Sequence, residues 1–515
     1  MPYAELVLKN ANVITMNPKQ PAAGLVAIKG NKIMSVAGND KLGELAGAKT
    51  RIIDCEGKTV VPGFNDAHCH IFSFLRQLLS IALSPESVRS IVDIKAAVRQ
   101  KAQNTPPGRW LSGTGYNEFY LAEKRCPNRW DLDEVAPNHP VVLAHRSLHA
   151  CTLNSLALSL AGITQETEDP PGALIDRDLV TGEPTGILFE MLGYIREKVM
   201  PPLSEEELNE GIALANQHYL SCGITSLQDA TIGNNLGRWQ TFRRFKESDR
   251  LKSRLYVISG IDAMSQFQEA SLASGSGDSQ LRLGGVKIMV KETTGQLEPS
   301  QSELNQQALA AHKTGFQLAI HAIEPATVEA AITALEYVHS HPPQKDRRHR
   351  IEHCSVCPPP LLERLRKLRT VIVTQPLFLY YSGERYLATV PADQQPWLYR
   401  IKSMLNSGLT VAASSDSPVV PDNPLVGIYA AVTRKAESEQ SILSEEGISA
   451  EQALAMYTVN AAYASFEEKA KGSISPGKLA DIVVLSNDPT NAPLEEIKDI
   501  RVAMTIIDGK VVWEA

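Results

Sequence analysis

From about residue 223 onward, short apolar runs alternate with segments whose apolar positions recur every third or fourth residue. The runs are Gly223-Ile224-Thr225-Ser226-Leu227-Gln228-Asp229, Leu255 to Ser259, Gly285 to Val290, Phe316 to His321, Arg350 to His353, Val371 to Gln375 and Leu409 to Asp416. An earlier run, Val60-Val61-Pro62-Gly63-Phe64-Asn65-Asp66-Ala67-His68-Cys69-His70, makes eight. Helical periodicity lies between them, for example at Ser302 to Lys313, Ala326 to His339 and Leu361 to Leu368. Strand and helix alternating eight times predict an α/β fold, a (β/α)8 TIM-like barrel closed by parallel strands. No sequence repeat with a period of about 20 to 50 residues competes with that reading.

The two ends of the chain are patterned differently. Residues 3 to 16 and 25 to 37 read as short strands, with Gly30-Asn31 as a two-residue hairpin turn. Ala480 to Leu485, Ala503 to Ile507 and Val511 to Trp513 repeat the style, with Asp508-Gly509 as the turn. Such short strands need partners to bury an apolar face, so the ends are expected to join in one small β-sandwich. The predicted boundaries are 1–57 plus 475–515 for the sandwich and 58–474 for the barrel. Residues 75–205, rich in Pro, Gly and Trp, do not alternate strand and helix and read as irregular.

Composition adds bounds. The 515 residues are 43% hydrophobic and 21% charged, ordinary for a folded protein with a large core. A net charge of -7 argues against a nucleic-acid partner, and the basic run Lys345-Asp346-Arg347-Arg348-His349-Arg350 reads as a solvated loop. Neither a signal-peptide core nor an apolar span of about 18 residues occurs, so the expectation is a cytoplasmic protein without a membrane partner. Seven cysteines lack disulfide-framework spacing, and the close pair Cys354 and Cys357 reads as buried, inert thiols.

The chemistry sits at the strand ends. Side chains two apart on a strand share a side, so His68 and His70 can converge on one ion while Cys69 turns away. The fifth run ends in His321, the sixth in His353 and the eighth in Asp416, and barrel enzymes act at these C-terminal ends. Singly, each also reads as a hydrogen-bonded core histidine or a helix cap; together they form a metal-ligand set. Lys287, inside the apolar fourth run, faces the same mouth. An ammonium beside two dications is electrostatically untenable, whereas the carbamate formed with carbon dioxide is an anion able to bridge them. Lys291, four residues on, lies beyond the apolar core of its strand and is the weaker candidate.

These residues, with Arg146-Ser147-Leu148-His149, Asn154 to Leu158, Gly182 to Leu188, Ser415-Asp416-Ser417-Pro418 and Pro476 to Asp481, resemble the amidohydrolase superfamily, and within it family 3, the YtcJ-like group. The resemblance spans essentially the whole chain. It implies a metal-dependent hydrolase with His68, His70, Lys287, His321, His353 and Asp416 as ligands. It implies two divalent ions, zinc foremost, with Lys287 carboxylated. It also makes residues 75–205 a cap inserted after the first barrel strand, with His149 pointing at the substrate. One departure stands out: the group follows the fifth-strand histidine with Ala-Ile-Gly-Asp, and this chain has His321-Ala322-Ile323-Glu324.

The reaction expected is hydrolysis of an amide-like carbon–nitrogen bond, of N-acyl or N-formyl type, by a metal-activated hydroxide. Asp416 is the expected base, and His149 or the second ion polarises the carbonyl oxygen. Glu324 supports an alternative, a mononuclear deaminase of an amino-heterocycle using that carboxylate for proton transfer. A non-catalytic binding protein is the alternative of another class, against which the intact ligand set stands. Trp110, Tyr116, Phe119, Tyr120, Trp130, Phe378, Tyr380 and Tyr381 suggest a partly apolar pocket for a small-molecule substrate, with Tyr381 and Glu324 as candidate contacts. A homo-oligomer is compatible with the sequence.

Overall fold

The structure, a computed structural model, describes residues 3–293, 295–342 and 347–515. Its chain divides into two compact units, Met1–Ile71 with Asn216–Ala515, and Phe72–Ala215.

The centre of the first unit is an eight-stranded, all-parallel sheet: β1 (Phe64–Cys69), β2 (Ile224–Asp229), β3 (Arg254–Gly260), β4 (Leu281–Met289), β5 (Leu318–Ala322), β6 (Arg350–His353), β7 (Val371–Thr374) and β8 (Val411–Ala413). Each pairs with the next in chain order, as the alternation of strand and helix predicts. Helices Gln301–Lys313, Pro325–His339 and Pro359–Leu368 fall where the periodicity places them. Between β8 and β1 no ladder is formed. That seam is held by Asp66 of β1, whose carboxylate accepts the Ser415 amide at 3.0 Å and the Ser415 hydroxyl. The Asp416 amide donates to the His68 carbonyl at 2.8 Å across the same line. Burial pushes Asp66 up to about 7, against the pull of the Ser415 hydrogen bonds.

The run from Val60 to His70 is not one strand. Thr59–Pro62 pairs with Asn12–Ile14 and Ile482–Leu485, while Phe64–Cys69 pairs with β2. The break therefore falls at Gly63 rather than at residue 58, because Gly63 is pressed against Thr225: an added Cβ would lie 2.1 Å from its Oγ1. Both ends of the chain contribute to a six-stranded sheet in the order Lys510–Glu514, Val502–Ile507, Ile482–Leu485, Thr59–Pro62, Asn12–Ile14, Ala22–Ala23. Beside it in the same unit is a four-stranded sheet of Lys32–Ala37, Leu25–Lys29, Leu6–Lys9 and Arg51–Asp54. One apolar cluster takes Leu6, Leu8, Val26 and Ile28 from the second sheet and Val60, Ile482, Val484 and Ile506 from the first. Gly30-Asn31 forms the two-residue turn, with Lys29 opposite Lys32, and Asp508-Gly509 turns with φ of 51° and 71°, the left-handed pair that a tight hairpin requires.

The unit Phe72–Ala215 is more regular than its sequence suggests. It holds a six-stranded mixed sheet in the order Leu174–Arg177, Pro184–Phe189, Ala150–Leu153, Val141–His145, Leu111–Tyr116, Ile81–Ala82. Val141 and Leu143 pack on one face with Ile91, Ile94 and Val98. Val142 and Ala144 pack on the other with Leu153, Ala157 and Leu158. A strand buried on both faces loses the apolar–polar alternation that marks strands in a sequence.

The basic run is not a solvated loop where it is described. Lys345 and Asp346 lie outside the described residues, but His349 and Arg350 are buried and Arg348 stacks on Tyr463 with its guanidinium carbon 3.8 Å from the ring centre. All seven cysteines are free, Cys354 and Cys357 among the buried ones. No described helix is long and apolar enough to cross a membrane.

Candidate metal centre

The strand ends bring four imidazoles together. Ring centres of His68 and His70 are 5.2 Å apart, of His68 and His353 4.9 Å, and of His321 and His353 4.4 Å. Asp416 completes the group from the end of β8: its Oδ1 lies 2.8 Å from His70 Nε2 and 3.5 Å from His68 Nε2. Donor atoms of His68, His70 and Asp416 all fall within 4.8 Å of one another. Lys287 is fully buried on β4, with Nζ 3.2 Å from His68 Nε2.

The imidazoles are oriented through their other nitrogen. His68 Nδ1 is held by Glu352, His70 Nδ1 meets the Thr231 hydroxyl at 2.9 Å, and His353 Nδ1 donates to the Gln375 amide oxygen at 2.9 Å. Fixing Nδ1 in this way leaves Nε2 to the cavity, the arrangement by which proteins aim histidine ligands. Glu352 is fixed in turn by Arg350, which also donates to Gln228 Oε1 at 2.6 Å and to the Ala67 carbonyl at 2.6 Å. Gln375 and Thr231 were not singled out by sequence, and Glu352 entered only as the neighbour of His353 in a family motif, without a role. Adjacent strand residues ordinarily point to opposite sides, so strand alternation alone does not bring Glu352 and His353 to one site. His353 escapes the alternation through a left-handed backbone, φ 74°, and Asp416 does likewise at φ 59°. Two non-glycine residues in that sparsely occupied region within one cluster mark a constrained site.

The electrostatics suit a cation. Burial, then the charge of Lys287, push His68 well below the ordinary imidazole value, and burial pushes His353 down too, so both are neutral. Burial drives Lys287 down to about 8 despite the opposing pull of Glu352 and Asp416. Burial alone would lift Asp416, but its contact with His70 holds it below the usual carboxylate range. Its Oδ1 is buried and, beyond the close approach of the His70 and His68 rings, has no hydrogen-bond donor among the described residues. An orphaned carboxylate oxygen amid neutral Nε2 atoms is the donor set of a divalent ion, and nitrogen with oxygen favours zinc-type chemistry.

Other sequence candidates lie elsewhere in their units. Glu324 is exposed and caps the N-terminus of helix Pro325–His339, where a negative charge is favourable. Tyr381 sits on helix Pro376–Thr389 and packs against the apolar cluster of Leu377, Leu379 and Tyr399. Lys291 is exposed at the start of a short hairpin. His149 belongs to the unit Phe72–Ala215; its side chain is 63% exposed and its Nδ1 is 2.7 Å from Glu190 Oε1.

Comparison with known proteins gives the family and the fold. A model of the amidohydrolase family matches residues 51–513. An N-substituted formamide deformylase from Arthrobacter pascens is 29% identical, aligned over 99% of this chain and 98% of its own. The putative amidohydrolase YtcJ of Bacillus subtilis is 27% identical over 98% of each chain. Among solved structures, an uncharacterised metal-dependent hydrolase from Pyrococcus furiosus has a TM-score of 0.74 at 25% identity, covering 94% of this chain and 100% of its own.

Proposed function

The chain belongs to the amidohydrolase family and is a hydrolytic enzyme acting on carbon–nitrogen bonds, and from that premise we propose that it cleaves N-formyl or N-acyl amides with two divalent ions, zinc foremost. The convergence of His68, His70, Asp416 and the buried Lys287 at one end of the barrel carries the reading. His68, His70, His321, His353 and Asp416 would hold the ions, with Lys287 as a carbamate between them. Its amine, brought down to about 8 by burial, offers a lone pair to carbon dioxide and loses a proton in forming the carbamate. When bound, such ions lower the pKa of water from about 15.7 toward about 7 and polarise a carbonyl.

The residues of the chain supply the rest. Asp416, anionic at neutral pH, takes the proton of the attacking water and returns it to the leaving nitrogen. Glu352 and Gln375 keep the Nδ1 atoms of His68 and His353 occupied, so those rings cannot turn away as charge develops. Contact with the substrate is proposed for His149 from its motif match, for Glu324 from its departure from the family's pattern, and for Tyr381 from the aromatic residues after the seventh strand. The two terminal sheets are read as one small β-sandwich and the unit Phe72–Ala215 as the inserted cap.

A panel of N-formyl, N-acyl, carbamate and amino-heterocycle substrates on metal-replete enzyme, with elemental analysis, tests the proposal. Turnover of formyl or acyl amides with close to two ions per chain is expected. Ammonia release from an amino-heterocycle with one ion would replace it with the Glu324 reaction.

A further inference from the structure

A second convergence of metal-capable side chains lies away from the strand-end cluster. His218 and Cys222 are four residues apart at the end of helix Glu205–Ser221, with the Cys222 amide donating to the His218 carbonyl at 3.1 Å, so both side chains share one helix face. Asp422 approaches from the loop between β8 and helix Pro424–Thr433, and only 2% of it is exposed. His218 Nε2 is 2.5 Å from Asp422 Oδ1 and 3.8 Å from Cys222 Sγ. The three donor atoms lie within 4.8 Å of one another. The other Asp422 oxygen, Oδ2, is buried and accepts no hydrogen bond among the described residues.

We propose that His218, Cys222 and Asp422 form a separate structural site for a zinc-type divalent ion. One nitrogen, one thiolate sulfur and one carboxylate oxygen are the mixed donor set that a borderline-soft tetrahedral ion selects over magnesium or calcium. Asp422 brings a buried oxygen, Oδ2, that no described residue hydrogen-bonds, in a place where a carboxylate needs a cation. In the metal-free protein that cation is the imidazolium: burial opposes it, but the bond to Asp422 raises His218 to about 11. Binding an ion therefore displaces the proton from His218, and Cys222 would ligate through its thiolate form. Both residues are only half-buried, which leaves the fourth position to water. The ion would fasten the helix end to the loop that begins six residues earlier at Asp416.

Cobalt(II) separates this site from the strand-end centre, whose ligands include no sulfur. Full-length protein stripped with chelator and titrated with cobalt(II) should develop a near-ultraviolet sulfur-to-cobalt charge-transfer band, absent in Cys222→Ser and His218→Ala. In the unaltered protein, zinc should slow alkylation of Cys222 about tenfold or more, followed by peptide mass spectrometry. Cys126, the other half-buried thiol, should be unaffected. Failure of the proposed hydrolysis would leave both signals intact. The proposal is overturned if no thiolate band appears, if the band survives in Cys222→Ser, or if zinc leaves Cys222 alkylation unchanged.

Discussion

His68 shows how much one side chain can be asked to do: Nδ1 is tied to Glu352, Nε2 faces Lys287 and Asp416, and no part of it is exposed. Such a site tolerates little change of charge. Asp416→Asn keeps an oxygen for coordination but cannot take a proton at neutral pH, so turnover should fall by about a hundredfold or more with most of the metal retained. Near-normal turnover at normal metal content would remove Asp416 as the base. Lys287→Ala should lose metal and activity together, and added short carboxylic acids should restore part of both by filling the vacated bridge. Lys291→Ala, at an exposed position, should do neither; the reverse pattern, or an unmodified amine at Lys287 in active, metal-loaded enzyme by mass measurement, would sink the carbamate. His68, His70, His321, His353, Lys287 and Asp416 were legible because each is a polar residue ending or interrupting an apolar run. The role of Glu352 was not, since it is the turned backbone at His353 that departs from strand alternation.

Among elements, the joint at Gly63 leaves no room for a side chain. It separates a strand of the terminal sheet from β1, and its amide donates to the Asp481 carbonyl at 2.9 Å. Gly63→Ala would push a methyl into Thr225, with contacts of 2.1 Å to Oγ1 and 2.4 Å to Cγ2. Overpacking of this kind costs about 1 to 3 kcal/mol, to be read as a lowered denaturation midpoint. Gly63→Ala combined with Thr225→Ser, which removes the Cγ2 methyl, should recover part of the loss; no change in either variant would mean the joint yields. The split at Gly63 was hidden in the sequence because apolar residues continue on both sides, and hydrophobicity does not say which sheet they enter. The sheet at Val141–His145 was hidden for a related reason, being apolar on both faces.

At the scale of the whole molecule, the barrel and the terminal strands within their unit are joined by a buried charge network. Arg254, on β3, places Nε 2.6 Å from Asp481 Oδ2 and a terminal nitrogen 2.5 Å from Asp508 Oδ1, with 1% of its side chain exposed. Removing one partner strands a buried charge, so Asp481→Ala should cost about 3 to 5 kcal/mol of stability. Chemical denaturation would measure it, and a loss below about 1 kcal/mol would show that Asp508 alone satisfies the guanidinium. The barrel itself was plain from sequence, because eight-fold alternation of period has few other solutions. This network was not, since Asp481 is separated from Arg254 by 227 residues.

The seam between β8 and β1 has a mechanical consequence. A hoop cut along one line keeps its shape only while something holds the lips, and here a serine–aspartate clip and two amide bonds, from Asp416 to the His68 carbonyl and from His70 to the Ser417 carbonyl, do so. His68 and His70 stand on one lip and Asp416 on the other. Metal held by all three is therefore a buckle. Chelation should raise amide hydrogen exchange in Phe64–Cys69 and Val411–Ala413 while the ladder between β3 and β4 stays protected. Equal protection along the seam with and without metal would mean the clip suffices. Where exchange does rise, the ion proposed to activate water would also keep the hoop from springing open.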